Sequence, residues 1–76
     1  MNKERRRELQ RAYDMLDNAK QIIEDIADAE QDAFDNLPEG LQASDRGARL
    51  EENSYNLDEA ADAVISAIEL VEGAME

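Results

Sequence analysis

The chain has 76 residues, which limits it to one small domain, and its 20 Asp and Glu against 8 Lys and Arg leave a net charge of −12. It has no cysteine and no histidine, so no disulfide can reinforce a small core, and the commonest general base and transition-metal ligand are both missing. A surface this acidic repels nucleic acid and anionic lipid and suits a basic protein partner.

No apolar run approaches the length of a membrane span, and no hydrophobic signal-peptide core follows Met1, so a cytoplasmic location is expected. The charge is uneven. Residues 1–11 hold five basic and two acidic side chains, a net of +3, and residues 12–76 hold 18 acidic and three basic ones, a net of −15.

The first helix is predicted over residues 3–35. Leu9, Ala12, Leu16, Ala19, Ile23 and Ile26 recur at alternating steps of three and four, and after Glu30 the pattern resumes at Ala33 and Leu37. That is the stripe of a helix with one buried face. Neither Gly nor Pro interrupts Met1 to Leu37. Four arginines in its first turns (Arg5, Arg6, Arg7 and Arg11) oppose the helix dipole. They are expected to form ion pairs with Glu69, Glu72 and Glu76 at the end of a neighbouring antiparallel helix.

The break falls at Leu37-Pro38-Glu39-Gly40, where Pro38 pushes Leu37 out of the helical region. A loop is predicted over 36–44. Ser44 reads as the N-cap of a second helix over 45–74, with Asp45 favourable beside the dipole. Gly47 in its first turn is a poor helix former, and a close backbone approach to Phe34 would account for it. Leu50, Ser54, Leu57, Ala61, Val64, Ile68, Val71 and Met75 carry the second stripe, with only Ser54 polar.

Two helices of about 30 residues, each about 45 Å long at 1.5 Å per residue, must fold back antiparallel to pack. The predicted fold is all-α, an antiparallel two-helix hairpin. Its apolar stripes are wider than one seam needs. Met15, Ile22 and Ala29 form a further row on the first helix, and Ala60, Ala67 and Ala74 do so on the second, with Ile65 and Leu70 nearby. Such rows left in water mark a contact surface, and the economical partner is a second copy, giving a homodimeric four-helix bundle.

The turn carries Glu30-Gln31, Ala33-Phe34-Asp35-Asn36-Leu37-Pro38-Glu39, Leu41-Gln42, Ser44 and Arg46-Gly47. With the opening Met1-Asn2-Lys3-Glu4-Arg5-Arg6-Arg7 and the later Asp58-Glu59-Ala60-Ala61-Asp62-Ala63-Val64-Ile65, it resembles a group of small acidic helical proteins of gut bacteria and their phages. The resemblance spans nearly the whole chain. It implies a hairpin and the setting of a phage or mobile-element accessory protein, and it transfers no functional residue.

Candidate chemistry is sparse. Asp28, Glu30, Asp32 and Glu39 fall at positions 1, 3, 5 and 12 of a calcium loop, but Ala33 stands where the sharp turn needs Gly, and Pro38 lies inside it. Carboxylate pairs such as Glu24 with Asp28 and Asp58 with Asp62 lack the histidine that helical-bundle metal sites add. No glycine-rich phosphate loop occurs, and no serine stands beside a base. Neither catalytic residue, cofactor nor metal is therefore expected. Two binding functions remain. One is a protein-interaction or self-assembling helical module. The other is a DNA mimic that inhibits a nucleic-acid-binding protein such as a nuclease or defence complex. The 18 carboxylates of residues 12–76 on a rod of roughly 45 Å give about one charge per 2.5 Å, against about one per 1.7 Å on duplex DNA.

Overall fold

A computed structural model describes residues 1–76 as an all-α chain with the order α1 (Lys3–Asp35), α2 (Glu39–Gln42) and α3 (Asp45–Met75). The two long helices pack along each other in a hairpin measuring 59 × 14 × 13 Å between Cα atoms. No helix is long and apolar enough to cross a membrane.

Side chains start both long helices. Asn2 caps α1 by accepting a hydrogen bond from the Arg5 backbone N–H at 2.8 Å. Ser44 caps α3 by accepting from the Gly47 N–H at 3.3 Å while its hydroxyl donates to the Leu41 carbonyl. Each cap satisfies a backbone donor that the helix itself leaves free. α1 stops at Asp35, before Pro38, whose carbonyl accepts from Leu41 and Gln42 and so opens the one-turn α2 inside the segment expected to be loop. Gln42 then fastens the turn. Its side-chain amide donates at 3.3 Å to the carbonyls of both Phe34, in the last turn of α1, and Leu37, just past its end.

Gly47 is buried, for a reason the sequence misidentifies. A Cβ there would stand 2.1 Å from the carbonyl oxygen of Gln42, so the close approach is to the turn's backbone and not to Phe34.

The seam follows a strict alternation of fours and threes. On α1 it runs Leu9, Tyr13, Leu16, Lys20, Ile23, Ala27, Glu30, Phe34 and Leu37, all half-buried except the buried Ala27. On α3 it runs Gly47, Leu50, Ser54, Leu57, Ala61, Val64, Ile68, Val71 and Met75, all buried or half-buried. The second row is the expected one. The first is shifted by one residue at four positions, with Tyr13, Lys20, Ala27 and Phe34 where Ala12, Ala19, Ile26 and Ala33 were expected: Ala27 is 1% exposed, whereas Ile26 is 49% exposed. The reason is helical drift. An α-helix turns 3.6 residues per turn, so the buried line can advance from Ile23 by four as readily as by three. Taken from Leu9, Leu16, Ile23 and Glu30 alike, the longer step puts the half-buried Tyr13, Lys20 and Phe34 and the buried Ala27 in the seam.

Ser54 sits opposite Ala27. Its hydroxyl lies 3.4 Å from the Ala27 carbonyl and 3.3 Å from Oε1 of Gln31, which satisfies the one buried polar side chain and marks the register of the two helices. The core is thin. Five of 76 residues are buried, and no large side chain is fully enclosed.

Candidate interaction faces

Each seam position is preceded in the sequence by a residue turned about 100° away from the seam. On α1 these residues are Glu8, Ala12, Met15, Ala19, Ile22, Ile26, Ala29, Ala33 and Asn36, apolar throughout from Ala12 to Ala33. On α3 they are Arg46, Arg49, Asn53, Asn56, Ala60, Ala63, Ala67, Leu70 and Ala74. Both rows are displaced from the seam in the same sense along the chain, and the helices run in opposite directions. The two displacements therefore bring the rows onto one side of the hairpin. The result is a front face with no charged residue from Ala12 to Ala33 or from Asn53 to Ala74, charged only at its ends by Glu8, Arg46 and Arg49, on which Met15 is 62%, Ile22 57% and Leu70 77% exposed.

Seven of the eight residues expected at an interface lie on this face. Met15, Ile22, Ala29, Leu70 and Ala74 are exposed, and Ala60 and Ala67 are half-buried at its inner edge. Ile65 is set apart: half-buried, it follows a seam position instead of preceding one, and so lies on the opposite flank of α3. Ile26, Ala63 and the half-buried Ala12, Ala19 and Ala33 complete the face. Assigning Ala12, Ala19, Ile26 and Ala33 to the seam had hidden that they continue the row of Met15, Ile22 and Ala29.

The residues that follow each seam position form the back. On α1 they are Gln10, Asp14, Asp17, Gln21, Glu24, Asp28, Gln31 and Asp35. On α3 the back carries Glu51, Asp58, Asp62, Glu69, Glu72 and Glu76, with Tyr55 and Ile65 between them. Eleven of the 20 carboxylates are gathered there. Three are oriented by neighbouring amides, since Gln10 donates to Asp14 at 3.0 Å, Gln21 to Asp17 at 3.3 Å and Gln31 to Asp35 at 3.0 Å.

Compared with family models, curated proteins and solved structures, the chain matches none.

The basic cluster departs from expectation. The two ion pairs of the chain are Arg11 with Glu8 at 2.8 Å and Lys20 with Asp17 at 3.5 Å, each between residues three apart on α1. Arg5, Arg6 and Arg7 make none with Glu69, Glu72 or Glu76, because those carboxylates point to the back and outer flank of α3. Asp28, Glu30 and Asp32 lie on uninterrupted helix, Glu39 begins α2, and no three acidic groups converge as metal ligands would. Two shallow open depressions flank the hairpin's ends, one beside Met1, Arg5 and Leu9 and the other beside Glu30, Arg46 and Leu50.

Proposed function

We propose that this protein acts by association and performs no chemistry of its own: its front face takes up a helical partner, and the simplest product is a homodimer, a four-helix bundle of two hairpins. The observation that carries this reading is the apolar front next to a thin core. A seam with five buried residues is a weak foundation for a domain of this size. Each large front side chain moved out of water would add roughly 1.5–3 kcal/mol, against an association cost that several such residues per copy can exceed. The resemblance to accessory proteins of bacteria and phages fits a small adaptor of this kind. Sedimentation equilibrium at tens of micromolar tests it. A mass twice 8.6 kDa is expected, and a monomer with a cooperative melt would leave the front to a different protein.

The gathered carboxylates favour a second reading, a DNA mimic directed at a basic protein. Eleven carboxylates on the back, spread over about 38 Å of helix, stand about 3.4 Å apart along the axis, the spacing of phosphates on a single strand. Binding through this face would collapse with salt, whereas binding through the front would persist. The two readings are compatible, because a face-to-face dimer leaves both acidic backs outward.

A further inference from the structure

The geometry points to one orientation for the second copy: the two hairpins pack front to front with their turns at opposite ends, α1 against the partner's α1, about a two-fold axis passing beside Ile22. This rests on the association proposed above and adds how the copies meet.

Three features converge on it. The first is the α1 front row itself, which is self-complementary when run against a reversed copy. Ile22 is its central member. Reversal about that point sets Met15 opposite Ala29, Ile26 opposite Ala19, and Ala12 opposite Ala33. Every other large side chain thus meets an alanine, and Ile22 meets its own copy on the axis. Antiparallel helices packed in this way interlock large residues with small ones, as close-packed interiors require. The α3 row, level with it, brings Ala60 to Ala60 and lets those backbones approach closely.

The second feature is the polarity of charge along the rod. Residues 24–59, the turn half, hold 12 carboxylates against Arg46 and Arg49, a net of −10, while the open half holds eight carboxylates against six basic side chains, a net of −2. Turns at the same end would set −10 beside −10. Turns at opposite ends set each −10 half beside a −2 half. Across a bundle two helices thick the charges lie within a few screening lengths of about 8 Å, so the difference is felt.

The third is the unpaired basic tip. Arg5, Arg6 and Arg7 have no carboxylate within ion-pair distance in their own chain. In this orientation residues 3–11 lie level with residues 33–41 of the partner, in its acidic half. The tip that the hairpin leaves unpaired is thereby brought alongside the −10 half of its neighbour.

The face is large enough. Ala12 to Ala33 spans about 32 Å of helix, and two helices side by side are roughly 20 Å across. That is about 600 Å² per copy, or on the order of 1,200 Å² in all, the lower limit of specific stable interfaces.

The chain has no cysteine, so one introduced thiol reports on one position. Ile22→Cys is expected to form a disulfide-linked dimer under mild oxidation, because Cα atoms at the axis come within the roughly 7 Å that a disulfide tolerates. Met15→Cys and Ala29→Cys should remain largely unlinked alone and cross-link when mixed. The mixed pair guards against Ile22→Cys failing merely because it weakens the front. Sedimentation of the unmodified chain separates the outcomes. A dimer in which neither Ile22→Cys nor the mixed pair cross-links overturns the orientation and leaves association standing. A monomer at tens of micromolar overturns both.

Discussion

The front and back of this hairpin are made by the same helices and differ only by two residues of phase. The residue before each seam position is apolar from Ala12 to Ala33 and from Ala60 to Ala74, and the residue after it is mostly Asp, Glu or Gln. The difference teaches that the charge of −12 is no uniform coat: the fold sorts it, leaving one side with the single carboxylate of Glu8 near its end and gathering 11 on the other. A solvated monomer has no need of such sorting. A bundle half does, because burying a carboxylate without a partner costs several kcal/mol.

The largest effect should come from breaking the contrast at its centre. Ile22→Glu puts a carboxylate in the middle of the front, where it would be buried twice over in a two-fold dimer. The dimer constant is expected to weaken by a hundredfold or more, on the order of 3 kcal/mol. The control is Gln21→Glu, one position earlier and on the back, which should leave the mass unchanged in sedimentation. Equal loss from both substitutions would mean that bulk charge, and not the front, governs association.

The next effect concerns what keeps both faces in phase. Gly47 lets the turn's backbone lie against α3, and a methyl there meets the Gln42 carbonyl at 2.1 Å. Gly47→Ala should destabilise by about 1–3 kcal/mol, as forced overpacking does, and lower the melting temperature. The contrast is with Gly73, also helical, where nothing lies within 4 Å of an added Cβ. Gly73→Ala should stabilise by up to about 1 kcal/mol through helix propensity. Thermal melts of the two variants should therefore move in opposite directions. Ser54→Ala is expected to fall between them in size, costing about 0.5–1.5 kcal/mol for the lost hydrogen bond.

Much of this fold is legible in the sequence because two long heptad stripes and one Pro-Gly break admit little else. The α3 seam, Leu50 to Met75, reads directly, since only Ser54 interrupts its apolar run. The α1 seam reads less well. The true line passes through Lys20 and Glu30, and a reading that favours apolar residues shifts to Ile26, which the fold leaves outside. That displacement, repeated at Ala12, Ala19 and Ala33, concealed the extent of the front, because its alanines were already spent on the seam. The ion pairs expected at the open end illustrate another limit. Charge and proximity along the rod were right, but the face on which Glu69 and Glu72 sit depends on the phase of the seam.

The smallest effect tests whether the back is more than a solvated surface. Asp58 and Asp62 lie four residues apart on α3, both exposed, in the like-charge arrangement that costs a helix about 0.2–0.5 kcal/mol. Asp62→Asn removes that repulsion at little cost in helix propensity, since Asn and Asp rank together. The variant should melt slightly higher than the parent at low salt, and the gain should vanish as salt screens the charges. Stability alone therefore favours removing this carboxylate. If the back instead serves as a polyanionic surface, the same substitution should weaken capture by a basic probe such as polylysine-coated resin, and more so at low salt. A higher melt with unchanged capture would identify the back as solvated surface, leaving the front as the sole binding face. A higher melt with weaker capture would mean that stability is given up for binding there.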